Sequence, residues 1–513
     1  MLSRILSYGL LGIEAYPVEI EVDVRQGLPS MNFVGLADQA TKESKERIKC
    51  AINNSGFKFP ADRITVNLAP ADIPKSGPAF DLPIALGLLA SSSQINKENL
   101  ADFIFLGELS LDGGIRPVKG ALPIALAVRG KKTPGSPRKL VLPRANAFEA
   151  GILEEIQSFG LKSLKEAVYF LSEQNSIPPT KLDLRSLMHD ACPQFDFQEV
   201  KGQGLAKRAL EVAAAGAHNV LMIGPPGSGK TMLAKRVPGI IPDMTLEETL
   251  EATQIHSCLG AIPEKLGLIT QRPFYAPHHT ISDVAMVGGS QIPQPGEISL
   301  SHNGVLFLDE LPEFRRSVLE ALRQPLEEGR IKVSRIQKSL SFPAKFMLVA
   351  AMNPCPCGFY TDPHKQCRCN TTRIEKYLSK ISGPLLDRID IHIEVPAIKY
   401  KELSSQENPE PSSVIKGRVK KARDIQLRRF KDDGIFANSH MNHKQIKKYC
   451  ALTEEGQTLL KAAIEELNFS ARAYDKILKV SRTIADLAES DAIREEHISE
   501  AIQYRSLDRQ VWG

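Results

Sequence analysis

The sequence predicts an α/β protein of about three domains: two blocks in which strands and helices alternate, then a mostly helical tail. Three observations carry this expectation. The chain has 513 residues, too many for one core at roughly 100–200 residues per domain. Short apolar runs bounded by turn residues alternate with longer helical patterns through residues 1–171, and again through 196–400. Polar, proline-bearing stretches at 172–195 and 402–413 (ELSSQENPEPSS) interrupt the pattern, and the remainder to 513 reads as helix.

The first block interleaves the strand-like runs VEIEVDV (18–24), RITVNLA (63–69), FIFLGEL (103–109) and KLVLP (139–143) with helical patterns at 38–56, 80–92 and 121–130. The N-terminal stretch MLSRILSYGLLGIEAYPVEI is interrupted by Glu14 and lacks a small-residue cleavage site, so it is expected to be a first strand rather than a leader. No run of 18 apolar residues is present, which argues against a membrane span. The expected location is cytoplasmic, where thiols stay reduced and clustered cysteines suggest metal more than disulfide. A net charge of +5 permits a nucleic-acid partner without arguing for one.

The most specific signal is NVLMIGPPGSGKTMLAKRV (219–237). An apolar strand ends at Ile223, and Gly224, Pro225, Pro226, Gly227, Ser228, Gly229, Lys230 and Thr231 satisfy G-x-x-x-x-G-K-[ST] before a helix. Glycines let backbone N–H groups converge on phosphates, Lys230 reaches the β- and γ-phosphates, and Thr231 offers a hydroxyl to Mg²⁺. The expected ligands are therefore ATP and Mg²⁺.

HNGVLFLDELPEF (302–314) supplies a second buried strand with Asp309 and Glu310 at its C-terminal end, where open α/β sheets bind ligands. Asp309 is placed to hold the Mg²⁺ water shell and Glu310 to deprotonate the attacking water; alternatively the two acids are a solvated strand cap. KFMLVAAMN (345–353) ends in Asn353, an amide that can bond both the γ-phosphate and the water. Arg388, in SGPLLDRIDIHIEV, is either a surface charge or an arginine finger. Arg472, at the start of a tail helix, is either an ordinary first-turn residue or a second phosphate-sensing arginine.

In this order, P-loop, Asp-Glu, Asn, Leu-Leu-Asp-Arg and lid Arg resemble the AAA+ ATPases. QPGEISLSHNGVLFLDELPEF and SGPLLDRIDIHIEVP are similar to the magnesium-chelatase-like branch. NFVGLADQATKESKERIKCAINNSG and LAPADIPKSGPAFDLPIALGLL resemble the YifB/ComM family within it. The resemblance spans about residues 1–505. It implies an AAA+ core at 196–400 with a helical lid at 401–513, and ATP hydrolysis in a homo-hexameric ring. Arg388 would then be offered to the neighbouring subunit's nucleotide. It also implies branch migration of DNA in homologous recombination and natural transformation, with recombination proteins as partners.

EEGRIKVSRIQKSLSFPAKF (327–346) reads as a β-hairpin made basic by Lys332, Arg335 and Lys338. In related rings such a hairpin grips the DNA backbone; alternatively its lysines simply solvate an edge. Residues 20–143 resemble a degenerate Lon-type protease domain, so block 1–171 is expected to be an α+β, ChlI-type unit. Ala79 stands at the expected serine position and Leu122 at the expected lysine position, with Lys119 nearby but offset. Without a serine nucleophile the domain is expected to be a non-proteolytic scaffold or a DNA-interaction module. Rival classes are a metal-insertion or protein-remodelling ATPase of the magnesium-chelatase kind and an ATP-dependent protease; the missing dyad argues against the latter.

NPCPCGFYTDPHKQCRCN (353–370) carries two C-x-C pairs, Cys355 with Cys357 and Cys367 with Cys369. Four thiolates on a loop suit a closed structural Zn²⁺ site, although C-x-C is tighter than the common C-x₂-C; free thiols and redox sensing stay open. His278 and His279 either touch a metal or nucleotide or, as expected because successive strand side chains point to opposite faces, are structural or lie at a ring interface. Cys50, Cys192, Cys258 and Cys450 are expected to be ordinary buried thiols.

Overall fold

The computed structural model describes residues 1–507 apart from 37, 38, 74, 76, 131–137, 183–194, 264, 265, 290–292, 335–338, 361, 363, 364, 399–408, 468 and 469. It divides into two compact units. The first comprises Met1–Asp190, Leu246–Thr270 and Gln291–Gln294, and the second Ala191–Thr245, Gln271–Ser290 and Pro295–Gly513.

The first unit is built on a seven-stranded mixed sheet. Its strands are β1 (Leu2–Leu11), β2 (Glu14–Arg25), β3 (Ser30–Val34), β4 (Arg63–Ala69), β5 (Phe103–Phe105), β6 (Lys139–Pro143) and β7 (Gln157–Leu161). They lie in the order β3-β4-β2-β1-β5-β6-β7. β1 and β2 form a long antiparallel hairpin, while β5, β6 and β7 run parallel. The N-terminal stretch is thus a strand. Alternation sets the register: Val18, Ile20 and Val22 of β2 are fully buried. The helix Asp81–Ser91 lies close on β1 and β2, where a Cβ on Gly87 would stand 2.7 Å from a Val22 methyl.

Ala79 and Leu122 belong to one apolar cluster of this unit, which Leu250 and Leu268 also join. The two positions that the Lon resemblance assigns to a dyad thus lie in apolar packing, and Lys119 is exposed beside Gly260. The helix Leu246–Leu259 therefore completes the first unit, although sequence order puts it after the P-loop. A buried carboxylate fastens it. Glu149 accepts hydrogen bonds from the Leu122 N–H at 2.9 Å, from Asn146 at 3.2 Å, and from the Ser257 hydroxyl. Burial pushes its carboxyl above the usual range.

The second unit carries a five-stranded parallel sheet: β8 (Val220–Ile223), β9 (Phe274–Tyr275), β10 (Val305–Leu308), β11 (Met347–Met352) and β12 (Ile391–Glu394), in the order β9-β10-β11-β8-β12. Every residue of β8, β10 and β11 is buried, as expected of strands covered on both faces. The tail helices Ser412–Arg429 and Ala471–Leu487 share one apolar core with the sheet, from Val220 and Val349 through Val419 to Ile484. Arg423 and Gln426 also donate to the carbonyls of Ala214 and Ala215, at the end of the helix Gly204–Gly216.

A buried ionic cluster fixes this lid to the sheet. Asp390 lies 3.0 Å from Lys476 of the lid helix and 3.4 Å from His218, and accepts the Asn219 N–H at 3.1 Å. These interactions outweigh the cost of burial and hold the Asp390 carboxyl far below its usual range. Removing one member of such a cluster strands the others. Asp390→Ala is expected to lower the free energy of unfolding by about 3 kcal/mol. Glu489→Ala, which removes an exposed partner of Lys421, is expected to cost less than about 1 kcal/mol. Denaturant titration of both variants checks the contrast.

Candidate nucleotide site

The C-terminal edge of the parallel sheet gathers the residues expected to bind phosphate. Gly224 follows β8 directly, and its N–H donates to Met352 at 3.2 Å. A Cβ here would stand 2.1 Å from the Val395 carbonyl, so the loop can leave the sheet at this point only through glycine. Gly227 and Gly229 take positive φ values of 78° and 93° as the loop wraps back to the helix Lys230–Ala234.

The Lys230 ammonium is buried against its own loop. It donates to the carbonyls of Gly224 at 2.8 Å and Pro225 at 3.0 Å, and to the Asn353 amide oxygen at 3.3 Å. Burial lowers its pKa from that of a free lysine. The Thr231 hydroxyl donates to Asp309 at 2.6 Å. A hydroxyl beside a carboxylate is the all-oxygen donor set that a hard cation such as Mg²⁺ takes.

Glu310 is exposed at the end of β10 and has left-handed backbone angles, φ 53° and ψ 47°. A non-glycine residue in that region is uncommon, and such backbones concentrate at functional sites. Its carboxylate lies 3.3 Å from Nδ1 of His279, whose ring packs 4.1 Å from that of His278. No sequence motif marks an acid partner for the histidine pair, because β9 and β10 are adjacent only in the folded sheet. Gln203 is a second residue without a sequence signal. It bonds the carbonyls of Ser228 at 3.1 Å and Pro396 at 2.7 Å, tying the phosphate loop to the chain beyond β12.

Arg388 and Arg472 stand elsewhere. Asn219, immediately before β8, donates its side-chain amide to the Arg388 carbonyl at 3.1 Å and accepts the Leu348 N–H at 2.8 Å. Both arginines line a cavity of about 520 Å³ with Asn219, Lys345, Asp390 and Lys476. Asn219, Lys345 and Asp390 mark the N-terminal edge of the sheet, so the cavity lies on the side opposite Lys230. Arg388 is paired there with Glu327, and Arg472 lies 3.9 Å from Asp387.

The basic hairpin forms from Arg330–Ser334 and Ser339–Pro343, antiparallel, with Ile331, Val333 and Phe342 buried and Lys332 exposed. Arg335 and Lys338 lie outside the described residues. Of the scattered cysteines, Cys258 and Cys450 are buried as expected, Cys50 is only half-buried, and Cys192 lies outside the described residues.

The four clustered cysteines converge. All four sulfurs lie within 4.8 Å of one another, with separations of 3.3, 3.7 and 3.5 Å among Cys355, Cys357 and Cys367. A tetrahedral zinc with Zn–S bonds of about 2.3 Å has sulfur–sulfur edges of about 3.8 Å. All four are free thiols rather than disulfides. The Arg368 backbone N–H leads the effects that hold the Cys357 thiol down to about 6, and the Cys369 N–H donates to the Cys367 sulfur at 3.4 Å.

Three family patterns match along the chain. Residues 196–403 match the magnesium chelatase ChlI subunit, 20–146 a further ChlI-subunit pattern, and 409–505 the ChlI C-terminal region. The chain is 44% identical over 513 residues to competence protein ComM of Haemophilus influenzae, covering 99% of this chain and 98% of that one. It is 43% identical to protein YifB of Escherichia coli, with 99% and 98% covered. The chain belongs to the YifB/ComM family. It is therefore a magnesium-chelatase-like AAA+ protein, a family whose shared feature is an ATPase core. A 26% identical stretch of Lon protease 2 of Bacillus subtilis covers 32% of this chain. Among the described residues no helix is long and apolar enough to cross a membrane.

Lys230→Ala removes the one ammonium in the phosphate loop. A charge-assisted hydrogen bond contributes about 1.5–3 kcal/mol. Affinity for a fluorescent ATP analogue is therefore expected to fall by about tenfold to a hundredfold, with the circular dichroism spectrum unchanged.

Proposed function

We propose that this chain is an ATP-driven DNA-remodelling motor that works as a homo-hexameric ring and promotes branch migration during homologous recombination. One observation carries the reading. The phosphate-gripping residues and the two arginines occupy opposite edges of one parallel sheet. A single chain therefore holds two halves of an ATP site that face away from each other, and a head-to-tail ring of copies brings unlike halves together. The 44% identity to a competence protein directs the motor to DNA.

In this reading Lys230 exchanges its loop carbonyls for the β- and γ-phosphates of ATP. Thr231 and Asp309 hold Mg²⁺, which neutralises charge on the phosphate oxygens. Glu310 takes a proton from the attacking water, and the Asn353 amide orients that water against the γ-phosphate. Arg388 of one copy stabilises the charge that develops on the phosphoryl group bound by the next, and Arg472 faces the same nucleotide. Lys332, with Arg335 and Lys338, contacts DNA phosphates without reading sequence. The four thiolates hold a structural Zn²⁺.

A second reading has a specific observation in its favour. The ChlI patterns cover both units and the lid, and ChlI is a magnesium chelatase subunit. An ATPase that remodels a protein or inserts a metal has no reason to respond to DNA.

One assay separates the two. Wild-type protein with ATP and Mg²⁺ is expected to migrate a synthetic Holliday junction, with DNA stimulating hydrolysis. Glu310→Gln is expected to bind ATP and junction but to hydrolyse at least about 100-fold more slowly. A wild-type protein that neither binds nor moves the junction, and whose ATPase rate ignores DNA, would contradict the motor reading.

A further inference from the structure

The four-cysteine loop is joined to the nucleotide grip at two places. Asn353, whose amide reaches Lys230, stands two residues before Cys355, which is fully buried. Gly358, between the two cysteine pairs, lies directly on the phosphate loop. A Cβ on it would come within 2.4 Å of the Pro226 ring, and its φ of 83° also selects glycine. Its N–H is held by the Cys355 carbonyl at 2.9 Å. Beyond Cys369, Asn370 caps the helix Thr371–Leu378 by accepting the Arg373 N–H at 2.9 Å. The chain thus leaves Asn353, passes through all four sulfurs, touches Pro226 on the way, and continues into that helix.

We propose that the four thiolates bind one zinc ion and that zinc and ATP bind cooperatively. Closing the loop on the metal presses Gly358 onto Pro226 and holds Asn353 beside Lys230, so the phosphate loop meets ATP already shaped. Without the metal, ATP must order those residues itself, and that ordering is subtracted from its affinity. Coupling of this kind is reciprocal: ATP tightens zinc by the factor by which zinc tightens ATP. Four thiolates fill a tetrahedral ion's coordination sphere, so the metal acts on shape and takes no part in hydrolysis. The inference rests on the ATP-site and zinc readings given above and is independent of the DNA reading.

The test uses the full chain without DNA. Protein purified without added zinc is expected to carry about one zinc per chain by elemental analysis. Replacement by cobalt(II) is expected to give the visible bands of a tetrahedral thiolate site. Removing zinc with a chelator under reducing conditions is expected to weaken binding of a non-hydrolysable ATP analogue at least about fivefold, and zinc restores it. Zinc affinity, measured against a competing chelating dye, is expected to rise by the same factor when the analogue is saturating. Gly358→Ala keeps every sulfur but crowds Pro226, and is expected to retain zinc while binding the analogue more weakly. This variant decides the matter if the stripped chain unfolds. Protein that holds neither zinc nor cobalt in the site overturns the proposal. So does zinc-loaded Gly358→Ala with wild-type affinity for the analogue. Lys230→Ala is the separate control: undiminished analogue binding there refutes the ATP-site reading itself, whatever the zinc result.

Discussion

Strand β8 pairs along its whole length with β11 on one side and β12 on the other, and that pairing determines where the chemistry can sit. The two edges of a parallel sheet are chemically unlike. Everything that follows the strands gathers at one edge, and everything that precedes them at the other. From Asn219 to Gly224 the chain climbs about 17 Å at about 3.3 Å per residue. Asn219, at the bottom, holds the Arg388 carbonyl; Gly224, at the top, opens the phosphate loop. The separation of Lys230 from Arg388 is a consequence of strand direction, and no side-chain rotation removes it.

Much of the remaining structure keeps the two edges rigid. At the upper edge Gln203 and Gly358 hold the phosphate loop from outside, Gly358 against the Pro226 ring, while Asn353 reaches Lys230 from the end of β11. Glu310 has a left-handed backbone, and its carboxylate meets His279 from the chain beyond β9. At the lower edge the cluster of Asp390, His218 and Lys476 binds the lid helix to the sheet, so Arg472 and Arg388 share one cavity although 84 positions separate them in sequence (472 − 388). The sheet and lid also share one apolar core.

The parts legible in the sequence were those where local chemistry and burial coincide. VLMI before GPPGSGKT and VLFL before DE announce both a buried strand and its functional end, and the structure has a strand at each place. The basic hairpin was legible from its alternation. What stayed hidden depended on contacts between distant segments. Nothing in LEETLEATQIHSCL shows that it completes the first unit by way of Glu149. Neither Gln203 nor His279 sits in a motif, since each acquires its partner through strand order. The arginines were found as residues, but their edge of the sheet follows only from topology. The cysteine spacing favoured zinc but left free thiols and redox sensing open, and only the sulfur positions bear on that choice.

The most direct measurement is ATPase complementation between two inactive variants. Lys230→Ala loses the proposed phosphate grip but keeps both arginines; Arg388→Ala keeps that grip but loses the proposed finger. Because the two halves of the site lie on opposite edges of the sheet, each variant alone should hydrolyse ATP at least about 1,000-fold more slowly than wild type. Mixed rings should recover a substantial fraction of wild-type activity, since a Lys230→Ala copy can offer Arg388 to the nucleotide held by its neighbour. No recovery in rings shown to contain both variants, or wild-type hydrolysis by Arg388→Ala alone, would contradict the division of the site between copies.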